Sequence, residues 1–139
     1  MTPGPRRHTF ARASRLKRRR LIRPLFDRTA EDVGTVAAGC IRLLYRVVPR
    51  AETGHDVPVQ VGFAPGRRRT AVARNRIRRL LREVYRVHQH GLVDLFSHRP
   101  DEALTVMMLF RSRDADADAI HADLPRALDR LLRTLQAAQ

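Results

Sequence analysis

The sequence contains one cysteine, Cys40, among its 139 residues. A single cysteine excludes an internal disulfide and a zinc site built from several thiolates, so we expect Cys40 to be a small buried hydrophobe. No apolar run approaches the roughly 18 residues that span a membrane. The basic N-terminus also lacks the continuous apolar segment of a signal peptide. These absences predict a cytoplasmic protein without a membrane partner.

Residue groups that support hydrolytic catalysis are also missing. The six histidines are scattered, and His88 and His90, at the end of a predicted helix, have no nearby acid with which to form an acid–base pair. Asp114, Asp116 and Asp118 have the spacing of the start of a calcium loop, but Ala119 replaces its glycine and Pro125 its bidentate glutamate. Helix capping explains these acids better. The sequence therefore predicts neither catalytic residues nor a metal held by the protein.

Acidic residues are scarce compared with basic ones. The chain has 14 Asp and Glu against 28 Lys and Arg, for a net charge of +14. Residues 1–100 carry 23 basic and 7 acidic side chains, whereas residues 101–139 carry 5 and 7. A GC-rich genome explains why Lys17 is the only lysine, but it does not explain the excess over acids. The charge predicts a polyanionic partner, with nucleic acid the first candidate.

Hydrophobic periodicity divides the chain into alternating helices and strands. We predict a basic disordered arm over residues 1–13 and a single RNA-binding domain over 14–136. The predicted helices span 14–26, capped by Ser14, then 71–90, ended by Gly91, and 118–135; the strands span 40–48, 57–64 and 104–110, with a faint one near 34–38. This order predicts an α+β fold, an α/β sandwich of about four mainly antiparallel strands and three helices. Strands 40–48 and 57–64 are expected to form a hairpin.

Two faces are predicted for strand 40–48 and for helix 71–90. In the strand, Tyr45 lies on the face of Leu43, and Arg42 lies on the opposite face. One side of the helix is apolar, and it comprises Ala73, Ile77, Leu80, Leu81, Val84 and His88. The other side is crowded with arginines, and Glu83 is the only acid in the helix. Like charges at helical spacing destabilise a helix, so we expect phosphates to neutralise these arginines. The alternative is a solvated helix surface whose arginine content reflects only a biased composition.

The arginine spacing is more specific than the charge. Arg74-Asn75-Arg76, followed by Arg78-Arg79 and Arg82, resembles the RNR signature of the ribonuclease P protein family. Further segments that resemble the family are Arg15-Leu16-Lys17 with Phe26, Val61-Gly62-Phe63 and the basic loop Arg67-Arg68-Arg69. The resemblance covers roughly residues 10–135.

The resemblance implies a fold and two RNA-binding regions. The family fold contains a left-handed strand-helix-strand crossover, an exception to the usual hand. Its RNR helix lies against a catalytic RNA, a role that would pass to Arg74, Asn75, Arg76, Arg78, Arg79 and Arg82. Its cleft, between the sheet and the opening helix, holds the single-stranded 5′ leader of precursor tRNA. By position, the leader contacts would be Phe26, Tyr45, Arg15, Lys17, Arg67, Arg68 and Arg69, although Ile22 stands where a second aromatic is expected.

By this resemblance the chain is expected to be a subunit of ribonuclease P, an endoribonuclease that matures the 5′ end of tRNA. Its partners would be ribonuclease P RNA and precursor tRNA, not DNA, with magnesium ions held mainly by the RNA. Three alternatives remain at this point. A ribosomal or other structured-RNA-binding protein shares the charge, a DNA-binding regulator would need a compact helix-turn-helix, and a free-standing nuclease would need acids that are missing.

Overall fold

The computed structural model describes residues 9–112 and 117–138. Its helices are α1 (Arg19–Leu25), α2 (Ala71–His88), α3 (His90–Ser97) and α4 (Ala117–Ala137), and its strands are β1 (Gly34–Ala38), β2 (Ile41–Pro49), β3 (Val59–Ala64) and β4 (Glu102–Phe110). Two single 3₁₀ turns lie at Arg12–Ser14 and Arg50–Thr53. The predicted α+β class and the order of the elements are confirmed.

The four strands form one mixed sheet in the order β1-β2-β4-β3. β1 pairs with β2 and β2 with β4 in antiparallel fashion, while β3 and β4 are parallel. The hairpin expected between the second and third strands is therefore wrong, because β4 lies between them. β4 is apolar and almost wholly buried, which suits a central strand. β3 starts directly after Pro58, which lacks an N–H to donate, and it takes an edge position.

The crossover from β3 to β4 contains two helices, where the sequence predicted one. α2 ends at His88, and Gly91 lies within α3 instead of ending a helix. A Cβ on Gly91 would lie 2.8 Å from Cδ2 of Leu132, so the glycine permits α3 to approach α4 closely. The hand of this crossover stays a prediction.

The main hydrophobic core lies between one sheet face and helices α2, α3 and α4. Leu43 of β2 and Val106 of β4 are completely buried there, and Tyr45 is packed against the same cluster. The predicted faces of β2 are thus confirmed. Two residues of α2 differ from the predicted apolar side. His88 was assigned to that side but is exposed, whereas Tyr85 was not assigned to it and is fully buried. The expected apolar stripe of α4 faces the core from Ile120 to Leu135.

Among the described residues, the short helix α1 and the segment that precedes it cover the second sheet face. Leu21 and Leu25 pack there with Leu16, Ala103 and Met107. The helix predicted from residue 14 is wrong over its first turn. Leu16 is extended, and its N–H donates to the Val61 carbonyl at 3.0 Å, along the free edge of β3. The unpaired edge of β3 and burial of Leu16 favour extended backbone at this point.

Part of the predicted N-terminal arm belongs to the folded domain. The Phe10 ring packs edge-to-face on Phe63 and Tyr85, with ring centroids 5.6 and 5.7 Å apart. The side-chain amide of Gln89 donates to the Thr9 carbonyl at 2.6 Å. The domain therefore includes residues 9–13, and residues 1–8 lie outside the described part of the chain.

The turn between β1 and β2 is attached to α4 by one carboxylate. Gly39 has a positive φ of 54°, and the following N–H, that of Cys40, donates to Oδ2 of Asp123 at 3.0 Å. This hydrogen bond lowers the pKa of Asp123 below its ordinary value, with a smaller contribution from Arg126. Cys40 itself is half-buried at this turn and not fully buried.

We predict that Asp123→Asn lowers the free energy of unfolding by about 1–2 kcal/mol at pH 7, because a charge-assisted hydrogen bond is weakened. The folded-state pKa of Asp123 is depressed, so its contribution is present above the unfolded pKa of about 4 and is lost as the pH falls through the folded value. Urea unfolding measures the difference in free energy of unfolding between the wild type and Asp123→Asn. This difference should be smaller at pH 3 than at pH 7. Asp129→Asn, in an exposed pair with Arg133, is the control and should change little. An equal Asp123→Asn deficit at both pH values would contradict the prediction.

Candidate nucleic-acid interface

Helix α2 is held in a fixed orientation by its cap and its inner face. The Thr70 hydroxyl caps the helix by accepting a hydrogen bond from the Ala73 N–H at 3.1 Å. Ile77, Leu81 and Val84 are buried in the main core. Their burial fixes which side of the helix points to solvent.

The six residues of the RNR pattern occupy the outer side of α2. We call them the arginine surface: Arg74, Asn75, Arg76, Arg78, Arg79 and Arg82. Asn75, Arg76, Arg78 and Arg79 are exposed, while Arg74 and Arg82 are half-buried. The structure therefore brings all six to one helix.

Few acidic groups oppose the arginine surface. Glu83, the only acid of α2, pairs with Arg86 at 3.3 Å, and Arg86 is not one of the six. The Asn75 side-chain oxygen accepts a hydrogen bond from Arg78 at 3.2 Å, which orients one guanidinium. The result is a dense group of planar, permanently charged forks that matches phosphate oxygens in geometry and charge.

The basic loop before α2 contains one structural and two free-standing arginines. The Arg68 guanidinium lies 4.9 Å from the Phe110 ring centroid, and it donates to the carbonyls of Pro65 and Ser112. Arg67 and Arg69 are exposed. Of the three loop arginines predicted to contact the leader, Arg68 is thus occupied in holding the loop, and the other two are accessible.

A groove opens where α1 ends above the second sheet face. It has a volume of about 620 Å³, and its lining includes Phe26, Arg28, Arg42, Leu44 and Leu109. Phe26 is 50% exposed, which is unusual for a phenylalanine and places an aromatic face at the groove. The groove lining is part apolar and contains two arginines and one acid, Asp27. An aromatic ring beside an excess of positive charge suits an unpaired nucleotide.

Arg42 is a groove residue that sequence reasoning missed as a binding residue. Its Nε is buried and has no hydrogen-bond partner within the described residues. A buried donor without a partner costs free energy, and the Arg42 side chain also lines the groove, where it adds a positive charge. The sequence did contain an indication of this role. The alternation of side chains along β2 predicts that Arg42 lies on the sheet face opposite the main core.

The structure does not bring the predicted leader contacts together. Tyr45 lies on the opposite sheet face from Phe26, against Gly34, where any Cβ would clash with the Tyr45 ring. The prediction that these two aromatics share one cleft is wrong, because adjacent β2 residues alternate and Leu44, not Tyr45, lines the groove. Arg15 and Lys17 lie elsewhere, in a concavity beside β3.

Residues 9–112 and 117–138 contain no cluster of three or more His, Cys, Asp or Glu suited to a metal ion. Asp114 and Asp116 of the acidic segment lie outside these ranges. Within the same residues, no helix combines the length and apolar character needed to cross a membrane.

Comparison with known proteins places the chain near one family. The ribonuclease P family model matches residues 10–136. A protein of Porphyromonas gingivalis W83 named ribonuclease P protein component is 34% identical over 89 residues, which are 62% of this chain and 65% of that protein. A protein of the same name from Chlorobaculum tepidum is 34% identical over 92 residues, 63% of this chain and 58% of the relative. The chain thus spans slightly less than two thirds of these relatives, and no solved structure matches it.

We predict that Arg68→Ala lowers the free energy of unfolding by about 1–3 kcal/mol, because it removes hydrogen bonds from a charged group and the contact with Phe110. Arg69→Ala, the adjacent exposed arginine, should change stability by less than about 0.5 kcal/mol. Urea denaturation followed by circular dichroism measures both. Equal effects of the two substitutions would contradict the structural assignment of Arg68.

Proposed function

Because the chain belongs to the ribonuclease P protein family, we propose that it is the protein subunit of a ribonuclease P ribonucleoprotein that removes the 5′ leader from precursor tRNA. The name protein component, carried by its relatives, supports a role as one part of an assembly. The proposed partners are ribonuclease P RNA and precursor tRNA.

The arginine surface is the observation that carries this proposal. Five arginines and Asn75 crowd one helix whose single acid pairs with a different arginine. Such a surface repels itself in isolation and becomes favourable when phosphates neutralise it and release their counterions. We propose that the catalytic RNA lies against this surface.

In the proposed mechanism the RNA subunit performs the chemistry. Magnesium ions would be held mainly by that RNA, and they would supply activation of water and stabilisation of the charge that develops during phosphodiester hydrolysis. The protein's side chains bind and orient. Arginines of α2 screen repulsion between RNA phosphates, and the groove holds the leader while cleavage proceeds.

The groove offers a path for the single-stranded leader. Phe26 provides a ring on which an unpaired base can stack, and Arg42 provides a donor for a phosphate or a base. The sheet register places Ala64 beside Leu109 and Leu109 beside Arg42, so the basic loop that follows β3 starts at the groove end of the sheet. Arg67 and Arg69 are therefore suited to contact the backbone of a strand that leaves the groove.

We predict that the protein accelerates leader removal by a bacterial ribonuclease P RNA at low magnesium. The triple variant Arg74→Ala, Arg78→Ala and Arg82→Ala should lose much of this acceleration. The slope of log affinity against log salt should become shallower by roughly 2–3, since about one counterion is released for each phosphate contact. Absence of acceleration by the wild-type protein would contradict the proposed function.

We predict that Phe26→Ala and Arg42→Met weaken binding of leader-bearing precursor tRNA to the assembled enzyme by about 1–3 kcal/mol each. Binding of mature tRNA should be unchanged, because it has no leader to occupy the groove. Tyr45→Phe, on the opposite sheet face, is the control. The groove assignment fails if Tyr45→Phe reduces the preference for precursor tRNA as strongly as Phe26→Ala does.

A further inference from the structure

A second group of basic side chains lies at the entrance to α1. Arg12, Arg15, Lys17 and Arg18 line a concavity of about 160 Å³, which we call the N-terminal basic cluster. Ala13, Thr53, His55 and Gln60 complete its lining, and none of the lining residues is acidic. Four cations thus meet at one place without a carboxylate among them.

The backbone that carries the cluster is fixed to the sheet. The nearly buried Gln60 side chain donates to the Ala13 carbonyl at 2.8 Å. The Leu16 N–H donates to the Val61 carbonyl, so the segment continues the edge of β3. A ligand therefore meets an ordered segment, and the entropic cost of binding is small.

The internal contacts of the cluster leave its charges unneutralised. Arg18 donates to the Glu52 carbonyl at 3.1 Å, a contact with backbone and not with an acid. The guanidinium of Arg15 lies 5.8 Å from the Phe10 ring centroid, and its buried Nε has no partner in the described part of the chain. Arg12 and Lys17 are exposed. Among the described residues, none of the four forms an ion pair.

The cluster is separate from the groove. Gln60 lines the cluster, whereas Ala64, four residues further along β3, pairs with the groove residue Leu109. Four residues of strand span roughly 13 Å, so one nucleotide cannot fill both sites. No Phe, Tyr or Trp lines the cluster, and the nearby Phe10 ring is packed against Phe63 and Tyr85. The cluster is suited to backbone phosphates and not to stacked, unpaired bases.

We propose that the N-terminal basic cluster is a second phosphate-binding site, which takes the backbone of folded RNA independently of the leader. This inference rests on the proposed function, and it reassigns Arg15 and Lys17 from the leader to a different RNA segment. The phosphates belong either to the catalytic RNA or to the body of tRNA, and binding measurements with each RNA distinguish these sources.

The test uses a double variant, Arg12→Ala with Lys17→Ala, because both side chains are exposed and neither supports the fold. Arg126→Ala with Arg133→Ala removes the same charge from α4, where both arginines face acids of their own helix, and is the matched control. Affinities are measured for the catalytic RNA alone, and for precursor and mature tRNA with the assembled enzyme, over a range of salt concentrations.

The cluster variant should bind at least one of these RNAs about tenfold more weakly, with a salt slope shallower by roughly 1.4–1.8 for two lost phosphate contacts. Precursor and mature tRNA should be affected equally, whereas the control variant should bind like the wild type. A cluster variant that matches the control overturns the inference, and so does a loss confined to leader-bearing tRNA. Wild-type protein that fails to stimulate cleavage would instead overturn the proposed function itself.

Discussion

Burial of one side of α2 against the sheet is the constraint on which the rest of the molecule depends. Ile77, Leu81, Val84 and Tyr85 are almost inaccessible to solvent, so the helix cannot rotate about its axis without exposing them. Because the inner side is fixed, the arginines are forced outward together. Binding of an anion lowers the electrostatic repulsion among these arginines. The stability of the helix therefore depends in part on the charge of its partner.

The two sheet faces are covered unequally, and that difference creates the second binding region. Three helices cover the main core, whereas the seven-residue α1 covers only part of the other face. The uncovered part forms the groove, where Phe26 is exposed and the buried Nε of Arg42 has no partner among the described residues. A longer α1 would have more surface with which to bury both Phe26 and Arg42. Incomplete coverage thus supplies an aromatic ring and a cation at a site open to a single strand.

The basic residues differ in what they do. Arg68 holds a loop through backbone carbonyls and the Phe110 ring, and Arg50 likewise donates to the carbonyls of Phe96 and Arg99. The five arginines of the arginine surface form no ion pair with an acid among the described residues, because Glu83 pairs with Arg86, although Arg74 also donates to the Arg68 carbonyl. Net charge alone does not distinguish structural arginines from arginines that can bind RNA. A guanidinium that donates to backbone carbonyls keeps its positive charge, but its N–H donors are occupied. Only the second class is suited to bind phosphate in a folded RNA.

The sequence by itself determined the α+β class, the boundaries of most elements, the faces of β2 and the whole arginine surface, because periodicity and charge spacing are local properties. It did not determine that β4 separates β2 from β3, that Leu16 extends the edge of β3, or that Gly91 lies in a helix beside Leu132. The family resemblance implied that Phe26 and Tyr45 share one cleft, but the pleat of β2 turns Tyr45 to the main core and Leu44 to the groove beside Phe26. Strand order and helix contacts arise from competition for burial among segments distant in sequence, so only the tertiary structure decided them.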